Sequence, residues 1–230
     1  SFSIRKGRFR RRAEGGLGGN SARPTNFGRN QFEFFRTHTA NYHNNMKKTH
    51  ANLLKAIAGE SMARNKYTYY AEIARQEGLI WIAKVFEETA DNEKAHAEEE
   101  LKRIKEKVEM TNTYDIHPLG KTLENLRNAA AGEKYEWGKM YPDFEKDARE
   151  EGETEIATLF KEISEVEEKH EERYNILADH LEQGKLFEDD EEREWKCLNC
   201  GYIHKGKSAP KTCPACKKPQ GYYMGLGVVR

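Results

Sequence analysis

The chain has 230 residues; 34% are charged, and Lys+Arg and Asp+Glu are equal at 39 each, so whole-chain charge points to no class of partner. This length holds one domain of ordinary size and a small one. All four cysteines lie between Cys197 and Cys216, which excludes a disulfide-stapled fold, and the longest apolar run, 79–83, is far too short to span a bilayer.

The first thirty residues carry Arg5, Lys6, Arg8, Arg10, Arg11, Arg12, Arg23 and Arg29 against a single acid, Glu14, followed by a glycine-rich stretch at 15–19. Such a segment cannot bury a core and is expected to be mobile. It reads as an organelle transit peptide, a cloning remnant or a non-specific basic tail.

From about residue 45 the apolar spacing becomes helical, beginning with Leu53, Leu54, Ile57 and Ala58. Gly78, Gly120 and Gly152 punctuate the run. Four long helices are expected, at about 45–77, 79–110, 121–151 and 153–184, with 111–120 as the crossover between two hairpins. The acidic run 188–192 reads as a linker to the cysteine segment.

The two hairpins are copies of one another. The segment 52–60 (NLLKAIAGE) matches 125–133 (NLRNAAAGE), displaced by 73 residues, whereas Ala74 to Gly78 matches Ala148 to Gly152, displaced by 74. One residue has therefore entered the second copy between Glu133 and Tyr141. A single insertion within a helix is often absorbed as a π-bulge, and such bulges favour functional sites.

The repeat also carries chemistry. Glu93-x-x-His96 recurs as Glu167-x-x-His170, and Glu60 recurs as Glu133. A Glu and a His three apart share a helix face. Counted from the glycine turns at 1.5 Å per residue, each lone Glu stands level with its Glu-x-x-His, about 25 Å from the turn. One Glu from each of two helices and one Glu-x-x-His from each of the other two make up a ferritin-like two-metal carboxylate site. Carboxylate and imidazole donors suit Fe or Mn. A lone Glu-x-x-His on a charged helix is usually solvated surface; two copies, each level with a Glu that follows Ala-Gly, are hard to reach by accident.

Glu136, three after Glu133, has Ala63 as its counterpart and is expected to be an additional ligand rather than a surface acid beside Trp137. Tyr67 and Tyr141 correspond and return to the inward face, as hydrogen-bond donors to ligating carboxylates or as core aromatics. Tyr69, Tyr70, Phe86 and Phe160 read as core. His38, His43, His50, His117, His180 and His204 lack the ligand spacing.

Cys197-x-x-Cys200 and Cys213-x-x-Cys216 are two knuckles separated by 12 residues and read as a tetrahedral thiolate site. The spacing alone suits zinc as well as iron. A two-metal site that turns over needs electrons, and a single Fe(Cys)4 centre supplies them one at a time, so iron is expected here, with zinc as a possible substitute. Trp195, Tyr202, Tyr222 and Tyr223 are enough for a small aromatic core.

The succession of Ala-Gly-Glu-Ser at 58–61, Glu93-x-x-His96, Ala-Gly-Glu-x-x-Glu at 131–136, Met-Tyr-Pro at 140–142, Glu167-x-x-His170 and the terminal knuckles resembles the rubrerythrin family over about 45–230. The resemblance implies an all-α, ferritin-like four-helix bundle at 45–186 and a small rubredoxin-like β domain at 187–230, preceded by the basic extension 1–44, which the usual family pattern lacks. It implies Glu60, Glu93, Glu133, Glu136, Glu167 and His170 as di-iron ligands, with His96 and Glu136 exchanging on one iron between redox states. It also implies Cys197, Cys200, Cys213 and Cys216 on a rubredoxin-type iron. The implied activity is reduction of hydrogen peroxide to water as protection against oxidative stress. Glu136, His96, Tyr67 and Tyr141 act at the centre, and electrons come from NAD(P)H through a separate reductase. A homodimer or homotetramer is implied. Neither a membrane nor a nucleic-acid partner is expected. The compartment is the cytoplasm, or the matrix of a mitochondrion-related organelle if 1–30 is a transit peptide.

Two rival readings follow from the same residues, and a third, nucleic-acid binding, rests only on the arginine-rich start. Similar carboxylates serve ferroxidases and iron stores, though storage needs no returning electrons. A zinc-ribbon binding module on a helical bundle would need no redox chemistry at all.

Overall fold

A computed structural model describes residues 46–228. The expectations for the basic extension, and for His38 and His43, lie outside the described residues. Five helical stretches and a small sheet follow in order: α1 (Lys48–Gln76), α2 (Ile80–Leu101), α3 (Thr122–Tyr135), a π-helical turn (Glu136–Met140), α4 (Tyr141–Glu150), α5 (Thr154–Glu182), β1 (Glu188–Cys197), β2 (Ile203–Ser208), a 3₁₀ turn (Gln220–Tyr222) and β3 (Tyr223–Gly225).

The architecture is a four-helix bundle of two antiparallel hairpins. Both hairpin turns close in the same way. Gly78 (φ 78°) and Gly152 (φ 76°) adopt left-handed backbone that glycine enters without a Cβ clash. The next amide reaches back to the last helical turn in each case, Leu79 N to Ala74 O and Glu153 N to Ala148 O, both at 2.8 Å.

Helix ends of one hairpin are capped by the other. Lys47, at the N-cap of α1, makes no capping bond of its own. Instead, Glu151 accepts from the amides of Lys48 and Thr49 and from the Thr49 hydroxyl. At the opposite end Glu77 accepts from the amide of Thr122. These bonds set the Gly78 turn beside the start of α3, and the Gly152 turn beside the start of α1.

That arrangement explains why α2 stops at Leu101 and not at 110. The crossover has to climb the length of the bundle to reach Thr122. A helix running to 110 would descend about 46 Å. The eleven residues then left could return at most about 40 Å, even fully extended. The crossover therefore occupies 102–121 and is tied down by Tyr114, whose hydroxyl donates to Lys55 O at 3.1 Å.

The π turn falls where the extra residue of the second copy requires it. Ser164 on α5 donates to the Trp137 carbonyl within this turn at 3.2 Å. It thereby satisfies an acceptor that the altered ladder frees.

The bundle core has two parts. One surrounds Tyr67, Tyr70, Trp81, Phe86 and Tyr174, and the other surrounds Tyr141, Phe144 and Phe160. Tyr70, Phe86 and Phe160 are thus core as expected, but Tyr69 is 49% exposed. It sits between Tyr67 and Tyr70 and turns away from the face they share.

The small sheet has strand order β2-β1-β3, with both pairs antiparallel. The acidic run 188–192 is not a linker: it belongs to β1, where the register with β2 shifts between Glu188 and Arg193. Trp195 opposes His204 on one side and Gly225 on the other, and packs with Tyr223, Cys197 and Cys213. The domain abuts the Gly78 end of the bundle. A Cβ on Gly221 would lie 1.8 Å from the Gly78 carbonyl oxygen, so only glycine permits this approach.

Candidate metal centres

Helical register brings the expected residues to one level inside the bundle. Glu60 (α1), Glu93 (α2), Glu133 (α3) and Glu167 (α5) are each at most 1% exposed, and His170 is 5% exposed. Their donor atoms form two groups, each within 4.8 Å throughout: Glu60, Glu93, His96 and Glu167; and Glu93, Glu133, Glu167 and His170. Glu93 and Glu167 belong to both groups.

These atoms also approach one another closely. His96 Nδ1 lies 3.0 Å from Glu93 Oε2 and 2.9 Å from Glu167 Oε1; His170 Nδ1 lies 2.6 Å from Glu167 Oε2. Yet Glu60 Oε2, Glu93 Oε1, Glu133 Oε2, both Glu167 oxygens and His170 Nδ1 are buried without an aligned hydrogen-bond partner. Orphaned buried polar atoms are costly, and convergence of this kind is what ligands of a shared cation show. The donor set therefore fits two cations, with Glu93 and Glu167 available to both.

Electrostatics point the same way. Burial, reinforced by Glu93 against the relief His96 provides, raises the Glu60 carboxyl to about 7. Burial and the neighbouring carboxylates push Glu133 and Glu136 well above their ordinary range. Burial by itself would lower the imidazoles, but the facing carboxylates outweigh it and raise His170 to about 9 and His96 further. Carboxylates crowded in this way need positive charge, which divalent ions supply in place of protons.

The tyrosines bond across the hairpins. Tyr67 donates to Glu133 Oε1 and Tyr141 to Glu60 Oε1. Each tyrosine therefore holds the lone Glu of the opposite copy. Burial and the adjacent carboxylates keep both phenols protonated. Each phenolic proton stays available to orient a carboxylate.

Glu136 opens the π turn and lies outside both four-donor groups. It is only half-buried, though Glu133, Glu60, Glu167 and Glu93 are close enough to raise it. Sequence reasoning missed Glu100, one turn past His96. It is fully buried and accepts at 3.1 Å from Tyr141. Its only sequence signal was a place on the same face as Glu93 and His96, within an acidic run that reads as solvated. His50 and His204 join neither group.

The four cysteines form a separate site, with their sulfur atoms all within 4.8 Å of one another. Cys197 to Cys216 and Cys200 to Cys213 are each 3.7 Å apart. A tetrahedron with metal–sulfur bonds of about 2.3 Å has edges of about 3.8 Å, so the thiols are set for one ion. The two knuckles fold alike. Gly201 (φ 78°) and Lys217 (φ 63°), each just after a second cysteine, turn left-handed, and their amides donate to Cys197 O and Cys213 O.

Among the described residues, no helix is long and apolar enough to cross a membrane.

Two family profiles match the chain. The family profile described as Rubrerythrin matches residues 51–178, and that described as Rubrerythrin, rubredoxin-like domain matches 195–224. The chain is 48% identical over 181 residues to Rubrerythrin-1 of Clostridium acetobutylicum, covering 76% of this chain and 93% of that one. It is 49% identical over 177 residues to Rubrerythrin of Porphyromonas gingivalis, covering 76% and 88%. Among solved structures, the partially reduced state of nigerythrin is similar at a TM-score of 0.51 and 34% identity, covering 77% of this chain and 86% of that one.

Proposed function

The chain belongs to the rubrerythrin family, with a di-iron site in the bundle and a four-cysteine rubredoxin-like site, and we propose that it reduces hydrogen peroxide to water. The observation that carries this reading is the pair of four-donor groups sharing Glu93 and Glu167, in a chain that also holds a four-thiolate site.

When bound, the iron pair supplies the two electrons that the O–O bond accepts, and the thiolate iron returns them singly. Glu93 and Glu167 would bridge the pair. Glu60 and His96 would complete one ion's shell, Glu133 and His170 the other's, and the four cysteines would hold the third iron. Tyr67 and Tyr141 hold Glu133 and Glu60 in their ligating orientation. The apolar walls around Tyr67, Phe86 and Phe160 keep bulk water out, so that charges inside the site act at full strength.

Glu136 would exchange with His96 on one iron, the carboxylate favouring the oxidised state. Support comes from its place at the head of the π turn, where the backbone departs from the α-helical ladder. Electrons would arrive from an NAD(P)H-dependent reductase. The cysteine domain abuts the Gly78 end, about 25 Å of helical rise from the Glu60 level, so a homodimer or homotetramer would deliver them from one subunit's cysteine iron to a neighbour's di-iron site.

The test is to follow oxidation of the fully reduced, iron-loaded protein by peroxide and by oxygen in parallel. Fast oxidation by peroxide and slow oxidation by oxygen are expected. The reverse order would make it a ferroxidase, and a colourless protein loaded with zinc would end the redox reading.

A further inference from the structure

The two halves of the metal site are related by the repeat, but one carboxylate breaks the relation. Tyr67 donates to Glu133 and meets no second acid. Tyr141 meets two, Glu60 Oε1 and Glu100 Oε1. Glu100 occupies the place that Tyr174 takes in the second copy. A phenol has a single proton and can donate to only one oxygen at a time. A carboxylate that ligates a metal is deprotonated and accepts. With Glu60 a ligand, the Tyr141 proton belongs to Glu60, so the proton between Tyr141 and Glu100 has to come from Glu100.

We propose that Glu100 is a neutral carboxylic acid that donates to the Tyr141 oxygen, and so acts as a positioning residue that commits the Tyr141 proton to Glu60. This rests on the reading of Glu60 as a ligand. The surroundings support it. Glu100 is fully buried, and its second oxygen, Oε2, has no partner. Among the described residues it forms no ion pair; Arg103, one turn on, is directed to the Glu99 carbonyl and side chain and to Glu155. Burial, the largest influence on its carboxyl, pushes it above the ordinary range. An acid held neutral in an apolar site is a competent hydrogen-bond donor. Donation into the phenol oxygen also strengthens the onward bond from Tyr141 to Glu60, because linked hydrogen bonds polarise one another. The two metal positions are thereby made unequal. The position holding Glu60 and His96 gains a buttressed ligand that the other lacks.

The test is infrared spectroscopy of the iron-loaded full chain at neutral pH. The wild type is expected to show the carbonyl stretch of a buried carboxylic acid. That band should vanish in Glu100→Gln and shift without vanishing in Tyr141→Phe. Glu100→Gln, whose amide can donate to the same oxygen, should keep the iron content and the visible spectrum of the ferric di-iron site; Glu100→Leu should shift that spectrum. A wild type without the band, a band that survives Glu100→Gln, or identical spectra in the Gln and Leu variants would overturn the proposal. If the band behaves as expected while peroxide is not reduced, the functional reading fails and the positioning role stands.

Discussion

At the scale of single residues, the site is defined by side chains that are buried while their charge is incompletely met. Taking a carboxylate out of water costs several kcal/mol unless something compensates. Glu60, Glu93, Glu133 and Glu167 all sit at or near zero exposure, so bound iron should stabilise the fold through mass action. Removing it with a chelator is expected to lower the thermal midpoint, and a midpoint indifferent to iron would count against the site. Tyr67→Phe and Tyr141→Phe should each reduce metal affinity or peroxide turnover about 10–100-fold, as loss of a partner behind a ligand commonly does. Assays of each variant at equal iron content would separate the two effects. Most of this constellation was legible in the sequence because duplication doubled every signal: a single Glu-x-x-His is ambiguous, and its copy at equal depth is not. Glu100 was not legible, because Glu98, Glu99 and Glu100 look alike in one dimension and only packing buries the last of them. Glu136 was singled out by its spacing, and the structure sets it beside the two donor groups but in neither.

At the scale of elements, the helices follow from apolar spacing and glycine stops, whereas their exact ends follow from geometry between elements. The length of the crossover decided where α2 stops, a constraint that spans some twenty residues and leaves no local mark. The acidic run at 188–192 joined a strand because β2 was there to pair with it. The π turn, by contrast, was visible as one extra residue in a repeat. Deleting Gly138 should restore α-helical register and rotate Tyr141 by about 100° relative to Glu133. Helical content by circular dichroism is expected to survive while turnover is lost; unchanged turnover would show the turn to be incidental. The N-terminus of α1 depends on Glu151. Burial alone would raise this carboxyl, but the Thr49 amide and hydroxyl and the Lys48 amide outweigh it and hold it below its ordinary 4.5. A carboxyl whose pKa is lowered by folding stabilises the fold above its unfolded value, and that contribution fades as pH falls through the folded one. Glu151→Gln should therefore cost about 1 kcal/mol at neutral pH, and its deficit should close below about pH 4.5. Denaturant midpoints across pH would show this; a deficit independent of pH would contradict it.

At the scale of the whole molecule, two metal-binding domains are joined end to end, and their junction combines apolar packing of Leu186, Phe187, Leu198 and Met224 at the bundle core with a close backbone contact. Gly221→Ala would drive a methyl group into the Gly78 carbonyl and force the domains apart. The visible spectrum of the cysteine iron should persist in that variant while electron delivery falters. The proposed electron delivery between subunits makes a sharper prediction. Neither Cys197→Ser nor Glu93→Ala should turn over alone, but mixed oligomers of the two should recover part of the activity. No recovery would place both centres of a working pair in one chain. The most direct test of the whole account is the iron content of Glu93→Ala, purified as the full chain. Because Glu93 belongs to both donor groups, this one substitution should strip both bundle irons and leave only the red thiolate iron, about one in place of about three per chain. Retention of both bundle irons would contradict the shared-carboxylate site on which everything else rests.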